Sequence, residues 1–262
     1  MRFLPIVFAA IAIVAPATAA PADMAAILAG PQRSEANRAR DQFRHPVETL
    51  KFFGLKPTMT VVEITPSGGW YTEILAPYLR DHGRYIGAGA WGGSENGAKS
   101  VAKFKAKLDA DPASFGKVEV TAFGKDHYDI AKPGSADIVL TFREIHNYVT
   151  GGYGPETFKA FYAALKHGGV LGVVEHRLPE NAPADREGTS GYMKVSTVKR
   201  LAEAAGFKFA GASEVNANPK DTADYPDGVW TLPPTYQLGD KDRAKYAAIG
   251  ESDRMTLKFV KP

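Results

Sequence analysis

The chain has 262 residues, of which 44% are hydrophobic, so it is long enough to bury the core of a full domain. Its formal net charge of +3 is small, and basic and acidic residues are interspersed, so we expect no nucleic-acid partner. The absence of cysteine excludes disulfides, thiolate metal sites and a cysteine nucleophile.

The N-terminus, residues 1–19, has the pattern of a secretory signal peptide. Arg2 precedes an apolar run over residues 3–15, and small residues follow. The Ala-x-Ala match at 17–19 predicts cleavage after about Ala19 and a periplasmic or secreted protein. A permanent membrane anchor is the alternative, but the run is shorter than the roughly 20 residues that a spanning helix needs. We therefore expect no stable membrane anchor.

Residues 20–45 are polar and rich in alanine and arginine, and we predict that they form a helical lead-in to a domain over 46–262. The first helix of that domain begins at Pro46, because proline suits the first helical position, and Gly54 ends it. Beyond it, runs rich in β-branched residues alternate with amphipathic helical patterns. The runs predicted as strands are 60–64, 84–88, 118–122, 136–142, 169–175, 207–215 and 254–260.

Strands that alternate with helices indicate βαβ units and a mostly parallel sheet covered on both faces, which predicts an α/β protein. Residues 216–252 interrupt the alternation with an irregular insertion rich in proline, aspartate and aromatic residues. So long an irregular segment is uncommon unless it has a role. Its Asp221, Tyr225, Trp230 and Tyr236 are predicted to form a lid, and the alternative is that they cover an exposed sheet edge.

Four segments carry a resemblance to a known family. They are VVEITPSGGWYTEILAP (61–77), ADIVLTFREIHNY (136–148), LKHGGVLGVVEHR (165–177) and GESDRMTLKFVKP (250–262). Together with the seven predicted strands they resemble the class I S-adenosylmethionine-dependent methyltransferases, and most closely a group of exported, predicted methyltransferases with a Gly-Trp-Tyr-Thr cofactor turn. The resemblance implies a Rossmann-like, doubly wound, mostly parallel seven-stranded sheet with an antiparallel last strand. It also implies S-adenosylmethionine as the cofactor.

In this family an acidic residue at the end of the first strand meets the methionine ammonium of the cofactor, and Glu63 stands there. The turn that follows normally reads Gly-x-Gly-x-Gly, so that the main chain can approach the ligand. The matching positions here are Thr65, Ser67 and Gly69, so one of three glycines is kept. Pro66 between them fixes φ and removes a donor. The resemblance thus implies a modified cofactor loop.

The second strand of the family usually ends in a carboxylate that accepts both ribose hydroxyls, but Gly89 stands at the matching position. Trp91 follows, and its ring is suited to stack on a base or to face a sulfonium. Asp126 matches an aspartate near the adenine amine. The cofactor-binding residues predicted from the resemblance are Glu63, Pro66, Gly68, Gly69, Trp70, Tyr71, Trp91, Asp126 and Arg143. For Trp70 and Tyr71 the alternative is packing of the helix start against residues 216–252.

Polar residues follow the fourth and fifth predicted strands, at the edge where open parallel sheets bind ligands. They are Arg143, Glu144, His146 and Asn147, and then Glu175, His176 and Arg177. Because histidine titrates near pH 7, His146 is predicted to be the general base for the methyl acceptor. Glu144 or Glu175 is predicted to orient it, and Asn147 to bind substrate.

Alternatives to this interpretation stay open. Both histidines are also suited to cap their strands by hydrogen bonds without a catalytic role, and two histidines with two carboxylates are suitable ligands for zinc or iron, although we assign no metal. The leading prediction is S-adenosylmethionine-dependent methyl transfer to an unidentified small molecule in the cell envelope. Because glycines and the ribose carboxylate are missing, the alternative is a non-methylating envelope protein on the same fold that binds another ligand or partner.

Overall fold

The computed structural model describes residues 23–91 and 95–262, so the predicted signal peptide lies outside the described residues. Its strands are β1 (Thr60–Ile64), β2 (Arg84–Ala90), β3 (Glu119–Phe123), β4 (Ala136–Phe142), β5 (Leu165–His176), β6 (Lys208–Ser213) and β7 (Arg254–Val260). They form one sheet in the order β3-β2-β1-β4-β5-β7-β6. Neighbours pair in parallel except β7, which is antiparallel to both β5 and β6. The predicted α/β fold class is confirmed.

The helices are α1 (Met24–Ala29), α2 (Glu35–Arg38), α3 (Asp41–Arg44), α4 (Pro46–Phe53), α5 (Thr72–Leu79), α6 (Glu95–Ala110), α7 (Pro112–Phe115), α8 (Ile145–Thr150), α9 (Gly154–Ala164), α10 (Val195–Ala204) and α11 (Arg243–Ile249). Gly54 ends α4 in a left-handed conformation, as predicted. The insertion at 216–252 contains α11 and a 3-10 turn over Gly228–Thr231. Within the described part of the chain, no helix is both long and apolar enough to cross a bilayer.

Successive residues of the central strands point to opposite faces of the sheet, as the period of a strand requires. Val61 and Leu140 pack with the buried side chains of α4, α5 and α6. Val62 and Val139 pack on the other face with α8, α9 and α10. Both faces of the sheet are therefore buried, and the loops at the carboxyl ends of the parallel strands are free to build a site.

The lead-in helices α1 to α3 dock on the domain through Trp70, which is only 6% exposed. The guanidinium groups of Arg33 and Arg44 lie over its ring, 5.1 and 4.7 Å from the centroid. Its indole Nε1 donates to the carbonyl of Asn37 at 2.9 Å. Arg33 is held in turn by two hydrogen bonds to the carboxylate of Asp41. The lead-in is thus part of the folded unit.

A second contact of the lead-in explains how α5 tolerates Pro77 in its interior. Proline lacks an N–H, so the carbonyl of Glu73, four residues earlier, loses its helical donor. The side-chain amide of Gln32 donates to that carbonyl at 3.2 Å. The carboxylate of Glu73 accepts from Asn37 at 2.9 Å and from Lys107 at 2.5 Å. The lead-in therefore supplies the donor that the proline removes.

Replacing Trp70 by alanine tests this docking. We expect Trp70→Ala to lower the free energy of unfolding by about 3–5 kcal/mol, because a buried aromatic ring and its contacts are lost. Amide exchange in residues 24–45 should become faster. Trp91→Ala is the matched control, since Trp91 is 43% exposed and its loss should cost less than about 1 kcal/mol. Unchanged stability and unchanged exchange in Trp70→Ala would contradict the docking.

Candidate functional site

Two cavities meet at the carboxyl edge of the sheet. The outer cleft, of about 760 Å³, is bordered by the loop after β1, the ends of β2 and β3, and α8. The inner cavity, of about 270 Å³, lies between the end of β4, the end of β5, the lead-in and the insertion. Glu144 and Asn147 line both. The outer cleft falls within the roughly 300–1,000 Å³ of typical ligand sites, and the inner cavity is a smaller annex to it.

A larger open cavity of about 940 Å³ lies elsewhere, among residues 185–190 and 224–237. None of the polar residues that follow β4 or β5 directly lines it. Trp230 borders both this cavity and the inner cavity. We therefore place the candidate chemistry at the strand ends and regard the open cavity as the solvent side of the insertion.

The loop after β1 keeps a glycine-like backbone with few glycines. Thr65, Ser67 and Gly69 have φ values of 49°, 51° and 74°, so all three positions that match family glycines are left-handed. Pro66 is buried, and its Cγ would lie 3.5 Å from a Cβ added at Gly87, so its ring packs on β2. The main chain therefore follows a turn that normally needs glycine, at a cost of about 1–2 kcal/mol for each other residue.

Glu63, predicted to meet the cofactor ammonium, lies beneath α5 and is 3% exposed. Its carboxylate accepts hydrogen bonds from the Tyr85 hydroxyl at 2.5 Å and from the Thr72 hydroxyl at 3.4 Å. Burial raises the pKa of Glu63 to about 7, although these bonds and the charge of Arg143 oppose the shift. Glu63 therefore bonds the first residue of α5, Thr72. Its contact with the methionine ammonium of the cofactor stays a prediction.

Trp70 and Tyr71 line neither the outer cleft nor the inner cavity. Trp70 packs under the lead-in, and Tyr71 is 2% exposed with its ring stacked 3.6 Å from that of Phe142. Burial raises the pKa of Tyr71 to about 12, so its hydroxyl stays protonated. Trp70 and Tyr71 thus pack the start of α5, which was the alternative to cofactor binding. They pack against the lead-in and β4 rather than against the insertion.

Trp91 forms an aromatic wall of the outer cleft. Its ring stacks on His127, with centroids 3.3 Å apart and an interplanar angle of 19°. Asp126 lies in the turn before His127 with φ 65°, is exposed, and is not among the residues that line the cleft, whereas Lys125 is. At Gly89 an added Cβ would have no atom nearer than 3.7 Å. The cleft thus offers a stacking platform, and glycine stands at the end of β2 where the family has its ribose carboxylate.

His146 and Glu175 form a buried pair at the inner cavity. Nδ1 of His146 lies 3.2 Å from Oε1 of Glu175, whose side chain is fully buried. A carboxylate has no proton to give, so Nδ1 must donate and Nε2 is the free nitrogen. Burial lowers the pKa of His146, but the charge and hydrogen bond of Glu175 and the charge of Glu144 outweigh it, and the net shift is upward. Glu175, of the two predicted orienting residues, is the one bonded to the imidazole.

His176 is in a different state from His146, although their ring centroids are 5.8 Å apart. Its Nδ1 lies 2.5 Å from the hydroxyl of Ser252. Burial, followed by the charges of His146 and Arg143, holds its pKa well below 6.5. His176 is therefore neutral and bonded to Ser252, two residues before β7, which is the capping role that the sequence left open.

Glu144 and Asn147 lie where the two cavities join. The Asn147 amide donates to the Glu144 carboxylate at 2.9 Å. Burial raises the pKa of Glu144, although the Asn147 bond and the charges of His146 and Arg143 oppose it. Arg143, with a left-handed backbone (φ 59°), lines the inner cavity. Glu144 and Asn147 thus line both compartments and are suited to contact a cofactor and an acceptor together, whereas Arg143 lines the inner cavity alone of the two.

The insertion roofs the inner cavity. Trp230 points an edge at the His146 ring, with centroids 6.0 Å apart, and Val229 and Thr235 line the same space. The insertion is anchored where the Tyr192 hydroxyl donates to the carboxylate of Asp221 at 3.0 Å. The sequence analysis missed Arg40 and Glu251, which also line this cavity, because nothing in the local pattern of the lead-in or of the segment before β7 marks them.

Within residues 23–91 and 95–262, no group of three or more histidine, aspartate or glutamate side chains is arranged to hold a metal ion. Glu175 is occupied by three donors, the N–H groups of Ile145 and His176 and the His146 ring. The site is thus built as a hydrogen-bonded acid–base pair.

Comparison with solved structures finds the same fold in several enzymes. An S-adenosylmethionine-dependent methyltransferase from Aquifex aeolicus aligns with 92% of this chain and 99% of its own, at TM-score 0.59 and 15% identity. The arsenic(III) S-adenosylmethionine methyltransferase CrArsM from Chlamydomonas reinhardtii aligns with 93% of this chain and 74% of its own, at TM-score 0.52 and 14% identity. The 4+2 cyclase SpnF aligns with 89% of this chain and 85% of its own, at TM-score 0.59 and 15% identity.

The chain has the class I methyltransferase fold. No family model and no curated protein matches its sequence. At these identities the likeness extends to the fold alone, so any activity has to be argued from the site.

Substitutions in the loop after β1 test its backbone. We expect Thr65→Gly and Ser67→Gly to be neutral or to stabilise the protein by up to about 1 kcal/mol, because glycine removes the left-handed strain. Gly69→Ala should destabilise by more than about 1 kcal/mol, since φ is 74° and its Cβ would lie 2.8 Å from Lys107. Gly68→Ala is the control, because its Cβ meets open space. Chemical unfolding measures all four, and a neutral Gly69→Ala would contradict the assigned backbone.

Proposed function

We propose that this protein transfers a methyl group from S-adenosylmethionine to a small molecule. The observation that carries the proposal is the junction of two compartments on a methyltransferase fold. The outer cleft is bordered by Thr65 of the left-handed loop and by Trp91, which stacks on His127. It shares Glu144 and Asn147 with the inner cavity, which is lined by the Glu175-bonded His146. A cofactor compartment next to a basic group is the arrangement that methyl transfer to an acidic hydroxyl or amine requires.

The residues present fit a nucleoside cofactor in the outer cleft. Thr65, at the start of the left-handed loop, lines the cleft, and Trp91 stacked on His127 offers a flat surface for a base. Glu144 and Asn147 would face its amino-acid end from the far side of the cleft. When bound, S-adenosylmethionine supplies an electrophilic methyl group on a sulfonium centre.

His146 is the group that removes the acceptor proton. Glu175 holds Nδ1–H, so the neutral imidazole presents its lone pair on Nε2, which has no hydrogen-bond partner in the part of the chain that the structure describes. The pKa of His146 is raised above 6.5, which makes its neutral imidazole a stronger base. The neutral form therefore dominates only at a pH above that raised pKa. Trp230 and the lead-in cover the same space and would exclude water from it.

The proposal includes the cell envelope as the place of the reaction and kinship with the exported methyltransferases. Both rest on the sequence patterns of residues 1–19 and of the turn that ends in Gly-Trp-Tyr-Thr.

A specific observation favours a second candidate, a non-methylating protein that binds another ligand in the same cleft. Gly89 leaves the ribose hydroxyls without their usual carboxylate. The 4+2 cyclase SpnF shares the fold, so this architecture is compatible with reactions other than methyl transfer.

Titration calorimetry with S-adenosylmethionine and S-adenosylhomocysteine tests the proposal. We expect both ligands to bind, and Trp91→Ala to weaken both by about tenfold, because one stacked base contributes roughly 1–3 kcal/mol. Trp70→Phe is the control, since Trp70 lines neither cavity. No heat from either ligand at millimolar concentration would favour the second candidate.

Gly89→Asp sharpens the same test. A Cβ at this position would meet no atom nearer than the Thr121 carbonyl oxygen at 3.7 Å, an ordinary van der Waals contact, so we expect aspartate to fit. Its carboxylate should then reach the ribose hydroxyls and tighten S-adenosylhomocysteine binding by about tenfold. Gly89→Asn has the same shape without the charge and should gain much less. If both variants bind no better than the unsubstituted protein, the ribose does not lie at the end of β2 and the assigned cofactor orientation is wrong.

A further inference from the structure

The inner cavity has more arginine side chains around it than carboxylates free to pair with them. Glu251 alone is shared by three guanidinium groups, with distances of 2.5 Å to Arg40, 3.4 Å to Arg44 and 3.2 Å to Arg254. Its pKa is lowered to about 2, because the charges of Arg44 and Arg254 overcome the effect of burial. Glu251 is thus already paired with three guanidinium groups.

Arg143 is a fourth cation. It lines the cavity, and among residues 23–91 and 95–262 its side chain forms neither a salt bridge within 4.0 Å nor a hydrogen bond. The nearby carboxylates are engaged elsewhere, because Glu175 accepts from Ile145 and the two histidines and Glu144 accepts from Asn147. The planar fork of a guanidinium group matches a carboxylate with two parallel bonds. Among the residues that the structure describes, no carboxylate pairs with Arg143 in this way.

The charge of Arg143 also disturbs its neighbours. Burial, followed by the charge of Arg143, lowers the pKa of Arg44 well below its usual value, and burial with the charges of His146 and Arg143 lowers the pKa of His176. Burial likewise lowers the pKa of Arg254 to about 10, with Glu251 opposing and Arg143 contributing. A bound anion would relieve this mutual repulsion.

We propose that the inner cavity binds the methyl acceptor through a carboxylate that pairs with Arg143, with Arg40 as a second cation. That this carboxylate belongs to a methyl acceptor rests on the proposed function. The sequence predicted Arg143 to bind the cofactor, whereas this proposal assigns it to the acceptor. Arg40 uses only Nε toward Glu251, so its terminal nitrogens are available. The small volume and the position of His146 then place the reacting end of the acceptor toward the outer cleft.

Trp230 separates the inner cavity from the open cavity of the insertion. Its side chain is 38% exposed and borders the inner cavity on one side and the open cavity of the insertion on the other. The outer cleft does not include Trp230. Because most of the residues that line the inner cavity do not line the outer cleft, we expect an acceptor to occupy the inner cavity while another ligand occupies the outer cleft.

The three tryptophans make this testable by NMR of their indole N–H groups. Trp230 reports on the inner cavity, Trp91 on the outer cleft and Trp70 on the lead-in contact. We expect benzoate to shift the Trp230 signal and leave the Trp70 signal in place, whereas benzamide, its neutral counterpart, should bind at least about tenfold more weakly. Equal shifts with benzoate and benzamide would overturn the proposal.

Variants identify the cation. Arg143→Gln should weaken benzoate binding by about tenfold, and Arg143→Lys, which keeps charge but loses the fork, should weaken it less. Arg84→Gln is the matched control, because Arg84 is an exposed arginine at the opposite end of β2. Thermal unfolding of each variant shows that it is folded. Full benzoate affinity in a folded Arg143→Gln would overturn the assignment.

Competition separates the acceptor from the cofactor. With saturating S-adenosylhomocysteine present, benzoate should still shift Trp230 with unchanged affinity. Loss of benzoate binding under these conditions would overturn the proposal, since Arg143 would then serve the carboxylate of the cofactor. If S-adenosylhomocysteine does not bind at all but benzoate does, the methyl-transfer proposal fails and the carboxylate site stands.

Discussion

The buried carboxylate of Glu175 joins the two strand ends on which the candidate site is built. It accepts from the Ile145 N–H at 2.5 Å, from the His176 N–H at 2.8 Å and from Nδ1 of His146 at 3.2 Å. A fully buried carboxylate is stable only when donors satisfy it, because an unpaired one costs several kcal/mol. The start of α8 and the end of β5 are therefore fixed to each other. The geometry of both cavities depends on this one group.

The pKa values of His146 and His176 shift in opposite directions, and the side chain of Glu175 bonds the ring of His146 alone of the two. His146 lies against Glu175 and has a raised pKa, whereas His176 bonds Ser252 and has a lowered one. Neighbouring groups whose surroundings push their pKa values apart are typical of acid–base sites. From the sequence we predicted a catalytic role for His146, with capping as the alternative for both histidines. In the structure each histidine has the surroundings of one interpretation, and the catalytic role of His146 is our proposal.

Much of the fold follows from local pattern. Three strands lie where alternation and apolar runs predicted them, namely Thr60–Ile64, Ala136–Phe142 and Arg254–Val260. The pattern is informative because apolar residues recur along a strand at the positions that face the core. The positive φ of Thr65 also has a sequence signal, since glycine was expected there. The contacts that close the inner cavity have no such signal in the sequence. Arg40 bonds Glu251 across 211 residues of sequence, and such a pairing is set by tertiary packing alone.

NMR titration of the His146 imidazole tests the central claim most directly. The account predicts a proton on Nδ1 in the neutral ring and a pKa above 6.5, because the negative charge of Glu175 stabilises the imidazolium. In Glu175→Gln that pKa should fall, since burial then acts without the opposing charge. A His146 that titrates at or below 6.5 in the unsubstituted protein, or that carries its neutral proton on Nε2, would contradict the account.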